Sequence, residues 1–177
     1  MILVMRGRAW VFDGIMDVDW EICPSPEIRG ARVDLGKFAM IKVDPDFPNK
    51  VQKGDFIVAG DNFGYGHDHD IGSRALKSAG VGAVLCESAG PYFLRNSLEH
   101  GLPVLEIKGI RVAVQQGDEL ELDIKKGYVK NLRTKIELNF TPFPDFILNM
   151  LDAGGIYPWI EQQIREGTLR RDSTRSQ

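Results

Sequence analysis

The sequence predicts an α/β fold: a parallel core sheet with flanking helices, plus antiparallel C-terminal strands. Two short apolar runs, Phe56-Ile57-Val58-Ala59 and Ala83-Val84-Leu85-Cys86, are of the type buried on both faces of a sheet. Helical segments alternate with them, and strand–helix–strand–helix–strand order implies parallel strands joined by right-handed crossovers. After Gly117-Asp118 the pattern changes to strict alternation, the mark of antiparallel strands with one wet face.

A chain of 177 residues, 43% hydrophobic and 27% charged, fits one domain with enough apolar material for one core. We expect that domain over 1–164 and a polar, arginine-rich tail over 165–177. The formal net charge of -3, with no basic stripe interleaved with aromatics, argues against nucleic acid as a partner. The opening run Met1-Ile2-Leu3-Val4-Met5 is too short for a secretory core or a bilayer span, so a cytoplasmic protein with no membrane association is expected. Cys23 and Cys86, the two cysteines, read as buried small hydrophobes.

In chain order, Ile2 to Phe12 is β-rich and ends at the turn signal Asp13-Gly14. Acids alternate with apolar residues from Ile15 to Ile22, and Cys23-Pro24-Ser25-Pro26 enforces an irregular path. Glu27 to Arg32 reads as an exposed loop. A short helix is expected over Asp34–Ile41 with Asp34 as N-cap, and Asp44-Pro45-Asp46-Phe47-Pro48 should stop anything regular. A strand over Phe56–Gly60 leads through the loop Asp61–Asp70 into a helix from about Gly72 to Ala79, closed by Gly80. A strand over Gly82–Cys86 follows, then a helix opened by Pro91 and stopped by Gly101, then a strand over Leu102–Glu106. Glu119–Ile124 and parts of Tyr128–Phe140 form the antiparallel strands, turning at Lys126-Gly127, and Pro144–Leu151 is expected as the final helix.

The segment with chemical potential is Gly60-Asp61-Asn62-Phe63-Gly64-Tyr65-Gly66-His67-Asp68-His69-Asp70. It leaves the carboxyl end of a buried strand, where open α/β sheets bind ligands, and enters a helix N-terminus, which favours anions. Its glycines allow close backbone approach, and it holds two of the chain's three histidines. A plain reading makes Asp68 or Asp70 a helix cap with the histidines in solvent. A metal site is a further reading. In an extended loop, however, residues 67 and 69 face one way and residues 68 and 70 the other, which divides the ligands. Asp17 and Asp19 read as organisers of a turn, and His100 as a helix C-terminal residue favourable to the dipole.

Val58-Ala59-Gly60-Asp61-Asn62-Phe63-Gly64-Tyr65-Gly66 resembles the small-subunit signature of the isopropylmalate dehydratase, homoaconitase and aconitase family. Further matches are Ile15-Met16-Asp17-Val18-Asp19, Ala75-Leu76-Lys77, Arg95-Asn96, Gly101-Leu102-Pro103-Val104, Gly117-Asp118 and Gly154-Gly155-Ile156, in the family's order over about residues 7–160. The resemblance implies an aconitase-type swivelling β/β/α domain. It would be the small subunit of a heteromeric iron–sulfur hydro-lyase, a heterodimer active only with a cluster-bearing large subunit. The [4Fe-4S] cluster would sit in that partner, with none bound by this chain alone. The reaction implied is dehydration and rehydration of a malate-type hydroxy acid, with isopropylmalate of leucine biosynthesis as the default.

Where the family has Ser-Ser-Arg-Glu, this chain has His67-Asp68-His69-Asp70. By position, His67 inherits the catalytic base, Asp68 the second serine's place and His69 carboxylate binding. Asn62, Gly64, Gly66 and Asp70 complete the substrate loop, with Arg29 and Arg32 as substitute carboxylate clamps and Arg74 as another. The competing reading is a non-catalytic anion- or metal-binding module that has lost the Ser-Ser-Arg residues.

Overall fold

The computed structural model describes residues 4–24 and 33–169. One seven-stranded sheet runs through them in the order β4-β3-β2-β1-β5-β6-β7. Its organiser is β1 (Val4–Phe12), a nine-residue strand that serves both halves. Residues Ala9–Phe12 pair in parallel with β2 (Phe56–Ala59), while Val4–Arg8 pair antiparallel with β5 (Glu119–Asp123). Beyond β2 lie β3 (Ala83–Cys86) and β4 (Val104–Glu106), all parallel. Beyond β5 lie β6 (Tyr128–Asn131) and β7 (Glu137–Asn139), both antiparallel. The parallel core and antiparallel C-terminal strands thus follow the sequence pattern, joined along one long strand.

All four residues of β2 and of β3 are buried. Period-two geometry divides them between two cores. Ile57, Ala59, Val84 and Cys86 join Trp10, Phe12, Phe47, Leu76 and Phe93 on one face. Phe56, Val58, Ala83 and Leu85 join Leu105, Ile110, Leu120, Leu122 and Leu148 on the other. Each buried valine, leucine, isoleucine or phenylalanine here contributes about 1.5–3 kcal/mol by leaving water, so these two clusters hold the strand ends firmly.

Helices cover the faces. After a 3₁₀ turn (Leu35–Phe38), capped by the Asp34 side chain on the Gly36 N–H as expected, comes α1 (Phe47–Lys50). The stretch Asp44–Pro48, expected to stop anything regular, contains the start of this helix. Proline is tolerated in a helix's first turn, and Phe47 anchors this one by packing edge-on against Trp10 and Phe12. Next come α2 (Ile71–Ala79), closed by Gly80 at φ 97°, and α3 (Pro91–Glu99). A four-residue turn, α4 (Ile110–Ala113), was not foreseen; Ile110 buries it in the second core.

Toward the C-terminus, α5 (Asp145–Ala153) is not the final helix. The chain reverses at Gly154 and Gly155 into α6 (Ile156–Arg165). Ile156, Trp159, Ile160, Gln163 and Ile164 form its half-buried stripe at helical spacing. Helix α6 ends at Arg165, and residues 170–177 of the expected tail lie outside the described residues.

Candidate functional site

The parallel strands β1, β2 and β3 end side by side, and the chain emerging from β2 is threaded between its neighbours. Gly64 N–H donates to Met16 O and Val18 N–H to Tyr65 O on one side. Phe63 N–H donates to Ser88 O and Gly90 N–H to Phe63 O on the other. The loop is thus an extension of the sheet beyond its carboxyl edge. Asn62, at φ 55°, donates its N–H to Ser88 Oγ, which itself donates to Asp61 Oδ1.

Two glycines make this threading possible. Gly64 has φ 73°, and a Cβ there would fall 2.2 Å from Phe93 Cγ; Gly66 has φ 105°, and a Cβ there would fall 2.4 Å from Asp17 Oδ2. Neither position accepts a side chain.

Beside the loop, residues 17–23 form one wide turn (Val18–Ile22) in which Ile22 N–H reaches Asp17 O and Cys23 N–H reaches Val18 O. Such five-residue hydrogen-bonded turns recur at functional sites. The Asp17 side chain accepts from Asp19 N–H at 2.7 Å, and Glu21 accepts from Asp17 N–H at 2.9 Å. Asp17 is therefore the turn organiser expected of it.

Asp19 has a different role. It is 4% exposed, and His69 Nδ1 lies 3.1 and 3.3 Å from its two carboxylate oxygens. His67 Nε2 lies 4.0 Å from Asp19 Oδ2, with the His67 side chain 68% exposed and that of His69 41%. The two imidazoles stack, 5.4 Å between centroids and 12° between planes. Residues 67 and 69 share one side of an extended loop, as their spacing predicted. His69 is held by Asp19, whereas His67 stands largely in solvent.

Helix α3 holds the loop from beneath. Buried Asn96 donates its amide to Asp68 O at 2.9 Å, and His100 Nε2 meets Asp70 Oδ2 at 2.9 Å. Asp70 stands at the N-cap position of α2 but makes no side-chain cap hydrogen bond; its carboxylate is engaged by His100 and, at 3.7 Å, by Arg74. Asp68 is exposed and holds the loop through its backbone carbonyl. Arg29 and Arg32 lie outside the described residues.

The sequence reading missed Asp19, Asn96 and His100 as parts of this site. A polar residue in mid-helix, as Asn96 is, was the one available signal, since buried amides require partners. Among the described residues no group of three or more His, Cys, Asp and Glu side chains is arranged to hold a metal. Cys23 and Cys86 are both fully buried, and burial pushes each thiol up to about 12. Metal and cluster ligation requires thiolate, so these residues do not fit an iron–sulfur cluster.

No family model matches the chain. It is 38% identical over 163 residues to the isopropylmalate/citramalate isomerase small subunit of Methanocaldococcus jannaschii, covering 92% of this chain and 97% of that one. It is 40% identical over 161 residues to 3-isopropylmalate dehydratase small subunit 1 of Methanopyrus kandleri, covering 90% and 94%. The same identity and length relate it to small subunit 1 of Thermotoga maritima, covering 90% and 96%. The crystal structure of 3-isopropylmalate dehydratase from Methanocaldococcus jannaschii matches at a TM-score of 0.83 and 28% identity, covering 93% of this chain and 98% of that one.

Proposed function

The chain belongs to the family of 3-isopropylmalate dehydratase small subunits, and from that premise we propose that it is the small subunit of a two-subunit hydro-lyase acting on a malate-type hydroxy acid. The observation that carries the reading is the near-complete coverage of chain and relative alike, 90% or more of each, at 38–40% identity. The non-catalytic alternative draws no comparable support.

A small subunit implies a large one. We place the [4Fe-4S] cluster in that partner, because the described residues here offer no ligand set for it. The residues that meet substrate from this side are His67 and His69, with Asp68 beside them and Asn62, Gly64 and Gly66 shaping the loop. Asp70 holds the loop through His100. A malate-type substrate carries two carboxylates, whereas the described loop is rich in acids and its nearby Arg74 is paired with Asp70. We therefore assign its anionic groups to a histidine of the loop or to the large subunit. Arg29 and Arg32 are the further clamps we propose from this chain.

No helix among the described residues is long and apolar enough to cross a membrane, and we propose a cytoplasmic location. The test is co-expression with the large subunit of the same genome, followed by assay on a panel of alkyl-malates. We expect a complex that interconverts a hydroxy acid and its alkene. A complex that assembles and turns over none of the panel contradicts the proposal.

A further inference from the structure

We infer that His69 rather than His67 is the proton acceptor of this site, with Asp19 as the positioning residue that fixes its chemistry. The inference rests on the hydro-lyase reading and reverses the assignment that loop position alone implies.

Asp19 sets the geometry of this pair. Its side chain is 5% exposed, and a buried carboxylate is costly unless hydrogen-bonded. Its oxygens lie 3.1 and 3.3 Å from His69 Nδ1. An ionised carboxylate can only accept, so Nδ1 carries the proton. In the neutral ring the lone pair is then on Nε2, the nitrogen not turned toward Asp19. With the His69 side chain 41% exposed, the ring is partly open to a ligand.

The loop adds rigidity at the same residue. Asn96 ties the carbonyl of Asp68, and His100 ties the carboxylate of Asp70. His69 lies between those two tethers and stacks on His67. His67 has no equivalent support: its Nε2 is 4.0 Å from Asp19, beyond hydrogen-bond range, and its side chain is 68% exposed. A general base needs a fixed orientation and a defined tautomer, and of the two loop histidines His69 alone has both.

His69 Nε2 takes the proton from the carbon beside a substrate carboxylate. The C–H electron pair becomes the new carbon–carbon double bond as hydroxide leaves the neighbouring carbon. Asp19 balances the imidazolium that forms. Released to solvent, the proton neutralises the hydroxide to water, so the net change is hydroxy acid to alkene plus water; hydration runs the same path backward. His67, 5.4 Å away, is left to meet a substrate carboxylate.

The test has two arms. In the full chain labelled with ¹⁵N-histidine, His69 should be observed as the Nδ1–H tautomer, and Asp19→Asn should redistribute the proton between the ring nitrogens. In the assembled complex, His69→Gln and Asp19→Asn should each lower kcat by about 100-fold or more while KM moves about threefold or less. His67→Gln should instead raise KM and leave kcat within about tenfold. Asp19→Glu, which keeps the carboxylate, should recover part of the rate that Asp19→Asn loses. If His67→Gln abolishes kcat while His69→Gln retains it, the assignment is overturned. An Asp19→Asn chain with an unchanged His69 tautomer overturns the role of Asp19. A wild-type complex with no turnover brings down the hydro-lyase reading and the base with it, while the tautomer result still decides what Asp19 does.

Discussion

The side-chain amide of Asn96 donates to the carbonyl of Asp68 at 2.9 Å, and one helical turn later His100 meets Asp70 at the same distance. The i, i+4 spacing puts both groups on one face of the α3 end, so they grip two loop residues that flank His69. The loop is mounted on a helix that supplies none of its proposed chemistry.

Removing the first grip tests that mounting. Asn96→Ala leaves the Asp68 carbonyl without its donor and a void at a buried position. We expect a loss of about 1–3 kcal/mol in urea unfolding. In the assembled complex we also expect a lower kcat. Unaltered stability and rate would show that α3 does not support the loop.

Gly66 and Gly14 form a matched pair for the threading of the loop. Both have positive φ, 105° and 88°, but a Cβ at Gly66 strikes the Asp17 carboxylate whereas one at Gly14 meets nothing within 4 Å. Gly14→Ala should cost about 1–2 kcal/mol, the ordinary penalty for a left-handed residue. Gly66→Ala should cost clearly more and lower the activity of the complex, because Asp17 caps the turn that carries Asp19. Equal thermal shifts in the two variants would refute the close approach.

Asp118 ties the segment after α4 to the end of β6. Arg133 donates to it, as do the Gln115 N–H at 2.9 Å and the Asn131 amide at 2.7 Å. Led by Arg133, these contacts hold its carboxyl at about 2, well below the usual carboxylate range. A lowered folded value means that stability is fully present above the unfolded pKa of ~3.9 and is lost as pH falls through the folded one. Wild type should therefore exceed Asp118→Asn in urea midpoint above about pH 4, with the gap closing toward pH 2. A gap that does not change with pH would refute the assignment.

Much of this architecture is legible in the sequence, for identifiable reasons. Apolar runs such as Phe56–Ala59, bounded by glycines and joined by helical segments, specify parallel strands because both faces must be buried. The C-terminal α6 was harder to read. Its stripe of Ile156, Trp159, Ile160, Gln163 and Ile164 is only half buried, begins after a glycine pair and contains Pro158. At the site, period-two spacing was enough to put His67 and His69 on one side. The partner of His69 was not legible. Asp19 lies 50 residues away in a stretch of alternating acids that reads as turn chemistry, and only the fold shows it to be buried. His100 is separated from Asp70 by 30 residues and was illegible for the same reason.

The most direct measurement compares the wild-type complex with one carrying both His67→Ala and His69→Ala in this chain, following deuterium incorporation and alkene formation from a malate-type hydroxy acid in D₂O. Proton transfer by the loop histidines predicts that both complexes assemble, that the wild type exchanges and dehydrates its substrate, and that the doubly substituted complex loses at least about 100-fold in rate. Equal rates in the two complexes, or the same rate from the large subunit alone, would contradict it.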